Sequence, residues 1–181
     1  MLRKLTRVLT ILSLTGLLLL LYLGVQGEAI AATRAQAILS DPSGSSALEG
    51  QAVFTETPAG LEIEASISGA PAGLHGFHIH ENGRCADGGN AAGGHFNPDG
   101  VQHGKLNVDG FEKAHAGDLG NFMIDRDGRG SSSQTVRGLS LSQGKYAIAN
   151  RAVILHVQRD DFSQPTGNAG ARLGCGEIKL D

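Results

Sequence analysis

The sequence predicts an all-β domain of about eight short antiparallel strands, arranged as a sandwich or barrel. Three observations carry this. Short β-rich runs recur along the chain instead of long helical periodicities, clusters of Gly, Pro, Asn and Asp separate them, and 27 glycines with 5 prolines in 181 residues interrupt the chain more often than a helical bundle tolerates. A hydrophobic content of 40% at this length supports one domain with its own core. No internal repeat divides it.

The N-terminal segment stands apart. Arg3, Lys4 and Arg7 precede an uncharged apolar run of 18 residues, 8–25, and small residues follow at Ala29, Ala31 and Ala32. Basic, apolar and small in that order is an export signal, and Ala29-Ile30-Ala31 fits the cleavage rule. Residues 1–31 are therefore expected to be a signal peptide and 32–181 the working domain. As a helix the run would be about 27 Å long, close to the roughly 30 Å of bilayer hydrocarbon, so an uncleaved anchor is the alternative. The expected location is exported, periplasmic or extracellular, with membrane contact only if the leader stays attached.

Strands are expected at 35–39, 52–57 and 61–68, where "LEIEASIS" alternates strictly. The turns Asp41-Pro42-Ser43-Gly44 and Pro58-Ala59-Gly60 punctuate them. A fourth strand falls at 76–80, a further candidate at 122–124, and others at 134–136, 152–157 and 177–180. Asn97-Pro98-Asp99-Gly100 and Asp125-Arg126-Asp127-Gly128 read as turns. Residues 81–120 form the exception, a long stretch with little periodicity. A loop of that length is functional or disordered unless metal or disulfide chemistry holds it.

Charge and cysteines narrow the class. The net charge is −3; residues 1–31 hold 3 of the 15 Lys/Arg and 1 of the 18 Asp/Glu, so the remainder carries 12 and 17, near −5. Without a basic run, a nucleic-acid partner is excluded, because phosphate binding needs clustered Lys and Arg. In an oxidising compartment Cys85 and Cys175, 90 positions apart, have each other as the only intramolecular partner. Two buried free thiols are the alternative.

The histidines point to metal. Residues i and i+2 of a strand share a face, so His78 and His80 project together while Phe77 and Ile79 face the other way. An isolated H-x-H reads first as two hydrogen-bonded rings, and His156 within "AVILHVQ" reads alone as a core histidine. All seven histidines, however, lie between positions 75 and 156. The long loop supplies His95, His103, His115 and Asp118, an imidazole and carboxylate set that suits four-coordinate Zn²⁺.

"GFHIH", "GGHFNP" followed by "HGK", "HAGDLGN", "LHVQRDD" and "GNAGARLGCG", in this order, resemble copper/zinc superoxide dismutase from about residue 35 onward. The spacing from Cys85 to His95 resembles its bacterial exported members. The resemblance implies a Greek-key barrel with a long metal-binding loop and a shorter entrance loop. It implies copper held by His78, His80, His95 and His156, and structural zinc held by His95, His103, His115 and Asp118, with His95 bridging both. Asp160 would orient a ring on each metal, Arg172 would guide the anionic substrate superoxide beside copper, and Thr166 would narrow the entrance. His95 and Arg172 would act in catalysis, and His75 would be structural. A homodimer is compatible with the family. Unlike animal members, the loop 161–172 carries no Lys or Glu. The alternatives are a non-catalytic copper/zinc-binding protein and a zinc hydrolase; the second needs a general base, and no Glu stands in a matching motif.

Overall fold

A computed structural model describes residues 33–181. The proposed leader and anchor lie outside the described residues. Within them, no helix is long and apolar enough to cross a membrane.

Nine strands form in chain order among the described residues: β1 (Arg34–Ser40), β2 (Glu49–Thr57), β3 (Gly60–Ser68), β4 (Gly73–His80), β5 (Asp118–Ile124), β6 (Arg129–Val136), β7 (Ala152–His156), β8 (Arg172–Glu177) and β9 (Lys179–Leu180). Every pairing between these strands is antiparallel. The order across the sheet is β5-β4-β7-β8-β1-β2-β3-β6, with β9 beside β1. The end strands β5 and β6 are joined by the turn 125–128, where the Gly128 N–H donates to Asp125 O at 3.1 Å. The sheet thus curls into a nearly closed barrel, and the β4–β7 and β3–β6 neighbours, distant in sequence, give it Greek-key connectivity.

Alternation builds the core. β3 buries Leu61, Ile63, Ala65 and Ile67 and turns Glu64, Ser66 and Ser68 outward. Phe54, Phe77, Ile79, Phe122 and Leu155 meet these residues inside the barrel, each buried aromatic or aliphatic side chain contributing about 1.5–3 kcal/mol.

The expected strands and all four turns are present, with corrected limits. β5 begins at Asp118, so the long loop ends three residues before 120, and it contains a 3₁₀ turn at Asn90–Ala92 and a short helix at Leu106–Asp109. β6 starts at Arg129, five residues earlier than expected, because its first half is polar and lacks alternation. Small residues are needed there: a Cβ on Gly130 would lie 2.1 Å from Met123 O and 2.6 Å from the Phe122 ring. The expected strands include only Glu177 of β8, because "RLGCG" at 172–176 has no alternating pattern. The expected strand at 177–180 is divided at buried Ile178 between β8 and β9.

Candidate metal centre

The site forms where the end of β4 receives the long loop. Ile79 donates its N–H to Gly117 O at 2.9 Å and accepts from Phe96 N–H at 2.8 Å, so two loop segments dock on one strand residue. Gly117 must be glycine, since a Cβ would sit 2.1 Å from Ile79 O. This docking sets His95 opposite His80 in an isolated bridge. β7 lies on the other edge of β4, with Phe77 opposite Leu155 and His78 opposite Ile154, and brings in His156.

Two groups of buried side chains result, each with ligand atoms within 4.8 Å of one another: His78, His80, His95 and His156, and His95, His103, His115 and Asp118. His95 belongs to both. A third group, His78, His103 and Asp160, underlies them.

One nitrogen of most of these rings is fixed by the protein. His78 Nε2 donates to Asp160 Oδ2 at 2.8 Å, His80 Nδ1 to Gly93 O at 3.0 Å, His156 Nδ1 to Gly170 O at 3.1 Å, and His103 Nε2 lies 3.0 Å from both Asp160 oxygens. The other nitrogen of each turns toward the cluster. His80 Nε2 and His156 Nε2 face each other at 3.2 Å. Because each Nδ1–H is already donated to a carbonyl, both Nε2 atoms present lone pairs in the neutral ring. Two opposed lone pairs repel unless a cation lies between them. His78 Nδ1 is buried without a hydrogen-bond partner.

The second group has the same character. Asp118 Oδ1 is 2.8 Å from His95 Nδ1 and 3.2 Å from His115 Nδ1. His103 Nδ1 lies 2.9 Å from Asp118 Oδ2, yet off the hydrogen-bond direction, so it too has no hydrogen-bond partner. Asp118 is itself anchored by the N–H groups of Gly104 and His115, both at 2.9 Å. Three imidazoles and one carboxylate suit zinc, and four imidazoles suit copper.

Burial dominates the titration of His80, His95 and His156. It pushes His80 down to about 2, with His95 adding to the effect, and His156 down to about 3, with His78 adding. Burial takes His95 down to about 4 against the pull of Asp118. His103 goes the other way: burial opposes its charge, but the Asp118 and Asp160 carboxylates raise it to about 9. Burial would raise both carboxyl groups, yet the surrounding rings, His103 foremost, hold Asp118 and Asp160 well below the usual carboxylate range.

The metal-free protein should therefore have its greatest thermal stability near pH 6.5. The three depressed histidines contribute stability above their ordinary value of 6.5 that is lost as pH falls toward 4, where the unfolded chain binds the extra protons. The raised His103 contributes below 6.5 and is lost as pH rises through about 9. Melting of chelator-treated protein across this range tests the sign. A melting temperature still climbing at about pH 9 would contradict it.

His75 stays out of both groups, as expected: its Nδ1 and Nε2 each lie 2.8 Å from a backbone oxygen, of His156 and Pro71. Cys85 and Cys175 form a disulfide. Arg172 opens β8, three residues before Cys175, and its guanidinium donates to Gly89 O and Gly93 O. His80, His95, His156, Thr166 and Arg172 line one cavity of about 630 Å³ in which, among the described residues, Arg172 is the only Lys or Arg. A larger hollow of about 970 Å³ on the outer faces of β1, β2, β3 and β6 contains none of the candidate residues.

Three residues at the site were not singled out in the sequence. Asn121 Oδ1 accepts the Asp160 N–H at 2.8 Å while its Nδ2 donates to Asp160 O at 2.9 Å. Gln164 serves the His103 backbone in the same way, at 2.9 and 2.8 Å. Phe162, at φ 62°, stacks on the His103 ring. Asn121 sits inside "HAGDLGN" and could have been flagged there; nothing local marks the other two.

Comparison with known proteins fits this geometry. The profile described as copper/zinc superoxide dismutase matches residues 48–178. The chain is 41% identical over 132 residues to the extracellular Cu-Zn superoxide dismutase of Caenorhabditis elegans, covering 69% of this chain and 58% of that one. It is also 41% identical over 125 residues to Cu-Zn superoxide dismutase 2 of Brassica juncea, covering 65% and 80%. The match thus spans less than two thirds of the nematode protein. A solved structure of the clock protein EA4 superposes with a TM-score of 0.75 at 34% identity, covering 87% of this chain and all (100%) of that one. The matched span contains every side chain of both groups, their ligand chemistry is that of copper and zinc, and the chain belongs to the copper/zinc superoxide dismutase family.

Proposed function

We propose that the protein dismutates superoxide to dioxygen and hydrogen peroxide, with His78, His80, His95 and His156 holding copper and His95, His103, His115 and Asp118 holding zinc. The observation that carries this reading is the sharing of His95 between two buried ligand groups. Copper, when bound, supplies one-electron cycling, so that two superoxide radicals and two protons give one dioxygen and one hydrogen peroxide.

The chain's own groups do the rest. Asp160 accepts from His78 and His103 and so fixes which nitrogen each presents. His95 turns Nδ1 to Asp118, which leaves Nε2 to take up a proton and deliver it to the departing peroxide. Arg172 is pinned by two carbonyls of the metal loop and presents its remaining N–H groups to an anion in the cavity. Thr166 narrows the entrance. The disulfide is in keeping with an oxidising compartment, and export to the periplasm or the extracellular space goes with it.

Local charge must overcome the overall negative charge to admit an anion. Arg172→Ala is expected to lower kcat/KM by roughly tenfold or more and to flatten the fall of the rate with ionic strength, followed by stopped-flow superoxide decay. A wild-type rate insensitive to salt would count against focusing by Arg172.

A second reading is a non-catalytic copper/zinc-binding protein, which would use the same two ligand groups. Metal analysis of the purified chain with a superoxide assay separates the readings. Equal copper and zinc with turnover supports dismutation, the same metals without turnover supports the binder, and zinc alone with hydrolytic turnover overturns both.

A further inference from the structure

The His103–Asp160 contact is braced from two sides, by Asn121 of β5 and by Gln164, neither of which the proposed chemistry uses. Residues 101–105 include no strand, so the His103 backbone has no sheet partner. Its N–H and C=O are instead both satisfied by one side chain: Gln164 Oε1 accepts the first at 2.9 Å and Nε2 donates to the second at 2.8 Å. Asn121 holds the Asp160 backbone by the same paired geometry. Two carboxamides thus fix the two main-chain positions whose side chains meet at 3.0 Å.

Phe162 adds a third restraint at a backbone cost. Its φ of 62° is one that bulky residues rarely adopt. That conformation lets its N–H donate to Asp160 Oδ1 at 2.8 Å and lays its ring nearly parallel to the His103 ring, at 18° and 6.3 Å. Strained residues persist where the surroundings over-determine them, and they cluster where geometry matters to function.

We propose that Gln164, presented by the Phe162 turn, is a positioning residue for the zinc side of the centre: it sets where His103 Nδ1 points, and so how tightly zinc is held. The proposal rests on the reading that His95, His103, His115 and Asp118 hold zinc. Gln164 touches neither metal nor substrate; it acts through the His103 main chain.

Gln164→Met keeps about the length of the side chain and removes the carboxamide that makes both hydrogen bonds. The test loads the full chain with Zn²⁺ alone and measures affinity by chelator competition, then with Co²⁺ and records its visible ligand-field spectrum. Wild type should bind Zn²⁺ and give a tetrahedral cobalt spectrum. The variant should bind Zn²⁺ roughly 10- to 100-fold more weakly, the loss typical when a partner of a ligand is removed, with displaced cobalt bands and an affinity loss larger than the fall in metal-free stability that two missing hydrogen bonds bring. Should Gln164→Met fail to fold, Gln164→Asn, one methylene short of the clamp, should show the same weakening and band shift. A folded variant with wild-type zinc affinity and cobalt spectrum overturns the proposal, as does an affinity loss fully matched by lower metal-free stability. A wild-type chain that binds neither ion overturns the zinc reading itself, and the proposal with it.

Discussion

Replacing His156 by alanine is expected to abolish superoxide turnover while leaving a folded, zinc-loaded barrel. His156 supplies one ligand atom to the first group and none to the second. Its removal leaves His78, His80 and His95, deletes the lone pair facing His80 Nε2 at 3.2 Å, and opens the wall of the cavity that holds Arg172. The effect should exceed the roughly 10- to 100-fold typical of losing a ligand's hydrogen-bond partner. Metal analysis should show copper depleted and zinc largely retained. Equal loss of both metals would mean that the two groups do not load separately.

The second large effect is on stability. Replacing both Cys85 and Cys175 by alanine should cost about 4.6 kcal/mol on the chain-entropy account, because the bond closes a loop of some 90 residues. For a domain of this size that is a fall in melting temperature of roughly 9–18 °C, measurable by calorimetry. Activity should fall with it. The bond ties the loop residue Cys85 to β8, three residues from Arg172, and packs against Ala92, Ala152 and Ile154. Without it, the carbonyls of Gly89 and Gly93 that pin the guanidinium are free to move. A double variant melting like wild type would show that packing around Ala92 alone holds the loop.

The fold was legible where burial leaves a period in the sequence. β3 alternates because one face meets the core and the other meets water. β6 and β8 fail that test for a shared reason: close approach of neighbouring backbones demands small residues, as at Gly130 against Met123 O and at Gly176, where a Cβ would lie 2.7 Å from Ile38 O. Glycine carries no hydrophobic signal, so the tightest contacts of the barrel are the least visible in its sequence.

The candidate site divides along a similar line. Residue chemistry alone pointed to a metal-binding loop and to the cysteine pair, because imidazole, carboxylate and thiol announce their chemistry wherever they stand; the proposed copper set and the roles of Asp160 and Arg172 came only from the resemblance of the motifs to the family. Gln164 announces nothing. Its amide matters only because the loop 161–170 folds back onto a segment without a strand partner, and that juxtaposition spans 61 positions of chain.

The sequence by itself thus determined which groups are present and the face that His78 shares with His80, since a strand's two-residue period is local. Only the tertiary structure decided which nitrogen of each ring is free, because that depends on acceptors such as Gly93 O, Gly170 O and Asp160, brought from elsewhere in the chain to bind the other.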